Sequence, residues 1–99
     1  MDNKIKVLIV DDEKTLVNVM KDYLSKEGYE TDVAYDGKQA LDKISIYHPD
    51  IILLDILMPV LNGIDTLKIL KKQPETKNIP VIMLSNYDDR EKIVESSET

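Results

Sequence analysis

The sequence predicts an α/β fold, a doubly wound parallel sheet in which four strands alternate with four helices. Three apolar runs bounded by loop residues are typical of strands buried in such a sheet: Lys4–Val10, Ile51–Asp55 and Pro80–Ser85. Between them lie longer segments whose apolar residues recur at helical spacing. Because strand and helix alternate along the whole chain, parallel strands joined by helical crossovers are the expected arrangement.

The first helix is predicted over Lys14–Glu27, where an apolar stripe runs along one side. Asp11 or Asp12 is suited to cap its N-terminus, and Gly28 follows as the usual residue past a helix C-terminus. The stripe consists of Leu16, Val17, Met20 and Leu24.

The spacing of apolar residues along the sequence changes at the second strand and again at the second helix. Residues with high strand propensity alternate with others from Tyr29 to Tyr35, which is typical of a half-exposed strand at a sheet edge. Asp36 and Gly37 then turn the chain into a helix that ends before Pro49. The apolar positions of this helix are Ala40, Leu41 and Ile44.

The second half of the chain contains two further predicted helices. The third continues to about Lys72, and a polar connection over residues 73–78 leads to the fourth strand. Asp88 or Asp89 is suited to cap the fourth helix, which has no Gly, Pro or basic turn to end it before Thr99. The apolar positions are Ile64, Leu67 and Leu70 in the third helix and Ile93 and Val94 in the fourth.

Length and composition are those of one globular domain with a modest core: 99 residues, 42% hydrophobic and 32% charged. The net charge of −6 argues against direct nucleic-acid binding, because phosphate backbones require clustered Lys and Arg. The lack of cysteine excludes disulfides and thiolate chemistry. The sequence has neither a signal-peptide pattern nor a membrane-spanning run, so a cytoplasmic protein without membrane contact is expected.

Carboxylates follow two of the buried runs. Asp11 and Asp12 come directly after the first strand, and Asp55 ends the third. If these strands are parallel neighbours, their carboxyl ends meet at the sheet edge where ligands bind in open α/β sheets. The carboxylates then crowd one pocket, and a raised pKa is expected for at least one of them without metal. Taken alone, Asp55 could be a strand-terminating cap, and Ser85 could simply satisfy a backbone group.

Three motifs together resemble the receiver domain of two-component response regulators. They are Val10-Asp11-Asp12-Glu13, Leu54-Asp55-Ile56-Leu57-Met58-Pro59 with Asn62-Gly63, and Pro80-Val81-Ile82-Met83-Leu84-Ser85. By this resemblance, Asp55 accepts a phosphoryl group from the phosphohistidine of a sensor histidine kinase or a phosphotransfer protein, and Ser85 supplies a switch hydroxyl. Mg²⁺ is the implied cofactor. Its implied ligands are Asp12, Asp55 and the backbone carbonyl of Leu57, with Asp11 binding through water.

Phosphoryl transfer to a carboxylate independently requires a cation. An anionic carboxylate does not readily attack an anionic phosphoryl group, and Mg²⁺ prefers hard oxygen ligands. The resemblance implies a domain that catalyses only its own phosphorylation and dephosphorylation, so it is not a turnover enzyme. Such a domain switches conformation to signal to an output domain or a downstream protein, which the sequence does not identify.

The resemblance also implies a flavodoxin-like sheet with strand order 2-1-3-4. In the family a fifth strand and a fifth helix follow, and no segment of this sequence corresponds to them. The expectation is therefore a receiver domain over residues 1–99, truncated at its C-terminus and without the lysine that the family carries on its fifth strand. The fourth strand then becomes an apolar edge and a candidate surface for self-association.

Three alternatives stay open. A truncated receiver that is not phosphorylated would act as a docking or decoy module for a kinase. A Mg²⁺-dependent phosphohydrolase with an aspartyl-phosphate intermediate would need an acid/base carboxylate two residues after Asp55, where this sequence has Leu57. A flavodoxin-type flavin binder is disfavoured because carboxylates, which repel phosphate, follow the first strand.

Overall fold

The computed structural model of the chain describes residues 4–56, 58 and 60–84. Within these ranges, strands and helices alternate as predicted. The strands are β1 (Lys6–Val10), β2 (Glu30–Ala34), β3 (Ile51–Asp55) and β4 (Val81–Leu84), and the helices are α1 (Lys14–Lys26), α2 (Gly37–Tyr47) and α3 (Gly63–Lys72). The predicted fourth helix, capped by Asp88 or Asp89, lies outside the described residues.

The four described strands form one parallel sheet in the order β2-β1-β3-β4. β1 pairs with β2 on one side and with β3 on the other, and β4 pairs with β3. The register aligns Val10 with Leu54 across β1 and β3, and Asp55 with Leu84 across β3 and β4. The predicted doubly wound sheet, its strand order and the edge position of β2 are confirmed.

Apolar residues of β1 are buried on both faces of the sheet. One face packs against α2 and α3, and the other packs against α1. The first face contains Leu8, Val10, Ile52 and Leu54 with Ala40, Ile44 and Leu70 of the helices, and the second contains Val7 and Ile9 with Val17. This two-sided burial explains the uninterrupted apolar run of β1, because each buried side chain of this size contributes about 1.5–3 kcal/mol. β3 differs, since only its Ile52 and Leu54 are fully buried.

Two details of α1 differ from the prediction. Its N-cap residue is Glu13, with no side-chain cap, whereas Asp11 or Asp12 was expected to cap it. Asp11 comes directly after β1, and its N–H still donates to the carbonyl of Ala34 in β2. Its Oδ1 accepts a hydrogen bond from the N–H of Glu13, at 2.9 Å, before the helix begins. Leu16 of the predicted apolar stripe is 42% exposed, because the buried side of the helix is centred on Val17.

The predicted position of Gly28 after α1 is confirmed, and the structure adds a side-chain cap at the start of α2. Gly28 has a φ of +96°, the left-handed conformation that glycine adopts without steric cost after a helix. Asp36 caps α2, since its side chain accepts a hydrogen bond from the N–H of Gln39 at 2.8 Å. None of the helices in the described part of the chain is both long and apolar enough to cross a membrane.

Candidate functional site

Three carboxylates meet at the edge of the sheet where the parallel strands end. Asp11 and Asp12 follow β1, and Asp55 is the last residue of β3, the hydrogen-bonded neighbour of β1. One carboxylate oxygen of each residue lies within 4.8 Å of those of the other two. Asp11 is buried, Asp55 is half-buried and Asp12 is exposed. The structure thus brings together the three carboxylates that the sequence placed at strand ends.

Asp11 is fixed by hydrogen bonds to the backbone. Its N–H donates to the carbonyl of Ala34 at 3.1 Å, and its carboxylate accepts from Glu13. Burial raises the pKa of Asp11 above its ordinary value, and the nearby charges of Asp12 and Glu13 act in the same direction, whereas the hydrogen bond from Glu13 opposes them. A raised pKa means that the folded protein keeps the Asp11 carboxylate ionised at a cost in free energy. A cation at this edge would therefore stabilise the cluster.

Gly63 holds the end of β3 in position. Its N–H donates to the carbonyl of Ile56 at 2.8 Å, and its α-carbon lies directly against the backbone of Asp55. A Cβ at this position would overlap the carbonyl oxygen of Asp55, so only glycine allows α3 to begin this close to the strand. Asn62 caps the helix by accepting a hydrogen bond from the N–H of Asp65 at 2.8 Å.

The start of α2 contacts the loop between β3 and α3. The N–H of Gly37 donates to the carbonyl of Leu61 at 3.2 Å, and a Cβ on Gly37 would overlap the hydroxyl of Thr66. That hydroxyl donates to the carbonyl of Asn62 at 2.8 Å, and Thr66 is completely buried. Sequence reasoning treated Gly37 as a turn residue and Gly63 as a turn residue within the motif of Asp55, and it did not single out Thr66. The close helix-to-loop contacts give all three a positioning role.

The loop between β3 and α3 also contains a backbone outlier. Val60 has a φ of +70°, a conformation that is unusual for a β-branched residue, and its side chain is 78% exposed. Two predicted site residues, Leu57 and Ser85, lie outside the described residues. Leu84, which aligns with Asp55 across the sheet, directly precedes Ser85 in the sequence.

Comparison with known proteins identifies the family. The model of the response regulator receiver domain matches residues 7–99 of the chain. Transcriptional regulatory protein CpxR of Escherichia coli strain K12 is 49% identical over 82 residues, which are 81% of this chain and 33% of CpxR. Protein PilG of Pseudomonas aeruginosa is 43% identical over 84 residues, which are 85% of this chain and 62% of PilG. The chain therefore spans less than two thirds of the length of either relative.

A solved structure of a receiver domain is also similar to this chain. The receiver domain of the Francisella response regulator 1452 superposes with a TM-score of 0.83 at 42% sequence identity, over 96% of this chain and 77% of that one. The family model and the solved structure both describe a receiver domain, a class of signalling domain rather than of turnover enzymes. The chain belongs to the response regulator receiver domain family of two-component systems.

The family assignment decides between the alternatives that the sequence left open. It argues against the phosphohydrolase and the flavodoxin-type flavin binder, because neither belongs to this family. The acidic cluster is consistent with the phosphoacceptor site of a receiver domain. A receiver domain that docks a kinase without being phosphorylated belongs to the same family.

Replacement of Gly63 tests the close contact beneath Asp55. Gly63→Ala is expected to shift the backbone of Asp55 and to lower the free energy of unfolding by about 1–3 kcal/mol, because the added methyl group overlaps backbone atoms. Urea unfolding measures the loss, and amide NMR shifts of Asp11, Asp12 and Asp55 report the displacement.

Gly28→Ala is the matched control for this variant. No atom lies within 4 Å of a Cβ at Gly28, so the cost there is only that of the left-handed backbone, about 1–2 kcal/mol, and the amide shifts of the acidic cluster should not change. A Gly63→Ala protein with unaltered stability and an unshifted Asp55 amide would contradict the positioning role.

Proposed function

We propose that Asp55 is a phosphoacceptor that takes a phosphoryl group from the phosphohistidine of a sensor histidine kinase or a phosphotransfer protein. The observation that carries this proposal is the convergence of Asp11, Asp12 and Asp55, with oxygen atoms within 4.8 Å, in a chain of the receiver family. Asp55 suits the role of nucleophile because it is half-buried and its backbone is packed against Gly63.

The proposed transfer forms one bond and breaks one bond. A carboxylate oxygen of Asp55 attacks the phosphorus, and the bond between phosphorus and the imidazole nitrogen breaks. The imidazole nitrogen leaves with the electron pair and takes up a proton. Because the nucleophile, the phosphoryl group and the two neighbouring carboxylates are all anionic, their repulsion opposes the approach. In this proposal the domain catalyses only its own phosphorylation and dephosphorylation.

Mg²⁺ fits the donor set of the cluster. The three side chains supply only hard oxygen donors, which this ion prefers, and the exposed Asp12 leaves the edge open to solvent. Asp12, Asp55 and the carbonyl of Leu57 are the proposed direct ligands, with Asp11 binding through water. When bound, the ion would supply the positive charge that offsets the repulsion between carboxylate and phosphoryl group.

Ser85 is proposed as the switch hydroxyl that donates a hydrogen bond to the phosphoryl oxygen. The support for this role is its position in the sequence, one residue after the strand neighbour of Asp55. Its hydroxyl then couples the modified carboxylate to the segment that follows β4. The partner that reads this change, either an output domain or a separate protein, would be recruited by the altered surface.

Intact-mass measurement tests the function. Incubation with acetyl phosphate and Mg²⁺ should add one phosphoryl group, and Asp55→Asn should abolish the addition because the amide is not a nucleophile for this transfer. Asp42→Asn, which removes an exposed carboxylate outside the cluster, should be modified as the unaltered chain is. Absence of any added mass in the unaltered chain would favour the unphosphorylated docking or decoy module.

Thermal unfolding tests the metal site. Mg²⁺ at a few-fold above its dissociation constant should stabilise the fold by about 1 kcal/mol through mass action. Asp12→Ala should remove this dependence, whereas Asp22→Ala, on the exposed surface of α1, should keep it. Ser85→Ala should also keep it, because the hydroxyl is assigned to the phosphoryl group. A Tm that does not respond to millimolar Mg²⁺ would argue against the site.

We also propose that β4 is a surface for self-association. Among the described strands β4 pairs only with β3, and its apolar Ile82 is 49% exposed. Light scattering over a concentration series should show association, and Ile82→Lys should reduce it because a charge blunts an edge strand. Ile46→Lys is the control, since Ile46 is 81% exposed on α2. A monodisperse monomer at high concentration would defeat this proposal.

A further inference from the structure

The outer edge of β2 carries main-chain groups that point away from the sheet, since among the described strands β2 pairs only with β1. On the inner edge, the N–H of Glu30 donates to the carbonyl of Ile5 at 2.9 Å. The carbonyl of Ala34 accepts from the N–H of Asp11 at 3.1 Å. Because the direction of these groups alternates along a strand, Val33 directs its N–H and its carbonyl outwards. Another chain can add a strand to such groups.

Both outward groups of Val33 are occupied by side chains of the same chain. Its N–H donates to Oδ1 of Asp32 at 2.8 Å, and its carbonyl accepts from the ammonium of Lys43 at 2.7 Å. The ammonium of Lys43 also donates to Oδ1 of Asp32 at 2.7 Å, which joins the two caps in one network. Further along this edge, the N–H of Tyr35 donates to the side-chain oxygen of Gln39 at 3.0 Å. A strand that added here would first have to displace these side chains.

The network depends on ionised side chains that are only partly buried. The side chain of Lys43 is 41% exposed and that of Asp32 is 38% exposed. Burial alone would raise the pKa of Asp32, but the hydrogen bonds from Lys43 and Val33 and the charge of Lys43 outweigh it, so the pKa lies below its ordinary value. An ion pair with this much solvent contact adds little to the free energy of unfolding. Its main effect is therefore on the strand edge that it covers.

The surroundings of this edge would favour association if the caps were absent. Ile46 of α2 is 81% exposed, and it lines a hollow together with Asp32 and Lys43. A strand laid along the edge would cover this apolar side chain and would also hydrogen-bond the main-chain groups of Val33. Two copies of the chain supply such strands to each other, because two identical edges pair antiparallel about a twofold axis.

We propose that Lys43 and Asp32 close the edge of β2 against pairing with a second copy of the chain. While the two side chains occupy the N–H and the carbonyl of Val33, no partner strand can hydrogen-bond there. Loss of both caps converts the edge into a dimer interface. The proposal is independent of the phosphoacceptor function, because neither residue belongs to the acidic cluster.

Removal of both caps tests the proposal in the complete 99-residue chain. Asp32→Ala with Lys43→Ala keeps the net charge, and both are combined with Ile82→Lys so that β4 contributes little to association. Analytical ultracentrifugation should show a dimer whose dissociation constant is at least about tenfold lower than that of Ile82→Lys alone, as expected for added main-chain hydrogen bonds. At low protein concentration the Tm should stay close to that of Ile82→Lys alone, because the ion pair contributes little stability.

Amide NMR locates the interface of this dimer. Shifts that depend on protein concentration should be confined to residues 30–35 and 43–47, which are β2 and the part of α2 beside it. The matched control is Asp22→Ala with Lys68→Ala in the same Ile82→Lys background. It removes one charge of each sign from exposed positions on α1 and α3, so it should associate no more than Ile82→Lys alone.

Lys43→Met, in the same background, is a milder variant that guards against misfolding. It keeps an unbranched apolar stem and removes only the ammonium, so it should associate through the same residues, but more weakly than the variant without both caps. If that variant does not fold, Lys43→Met decides the test. A folded variant that stays monomeric, a dimer whose shifts lie outside β2 and the adjoining part of α2, or equal association of the control would overturn the proposal.

Discussion

Repulsion among three carboxylates is the constraint on which the rest of the structure depends. Asp11, Asp12 and Asp55 would separate in a flexible chain, and the pairing of β1 with β3 holds them together. The strands can do this because their apolar residues are buried beneath the cluster, β1 on both faces and β3 mainly on one. Core burial therefore offsets the electrostatic cost. Burial is also the main reason that the pKa of Asp11 is raised, and the charge of the neighbouring Asp12 acts in the same direction.

The two glycines complete this arrangement at the backbone level. Gly63 lets α3 begin against the carbonyl of Asp55, and Gly37 lets α2 begin against the loop and Thr66. α3 thus packs directly against the strand end that carries the proposed phosphoacceptor, and α2 packs against the loop that follows it. Neither helix supplies a side chain to the proposed chemistry. α3 also reaches the opposite edge of the sheet, where its Leu70 is buried in the main core.

Strand identity and the meeting of the carboxylates were predictable from sequence, because apolar runs and the residues that end them are local signals. The turn into the second helix at Asp36 and Gly37 was also predictable, since turn residues are local signals, whereas the capping hydrogen bond of Asp36 is seen only in the structure. The cap of α1 was predicted wrongly because the choice among adjacent acidic residues depends on the residue at which β1 ends. The exposure of Leu16 depends on how α1 rotates over the sheet. The Gly63 contact depends on the distance between α3 and β3, which periodicity does not encode.

Locating the phosphoryl group tests the central claim most directly. After incubation with acetyl phosphate and Mg²⁺, borohydride reduces an aspartyl phosphate to homoserine, which peptide sequencing by tandem mass spectrometry assigns to one position. The account predicts homoserine at position 55 and at neither Asp11 nor Asp12, because Asp55 is half-buried and its backbone is packed against Gly63. Homoserine at Asp11 or Asp12, or at no position of a fully folded chain, would contradict it.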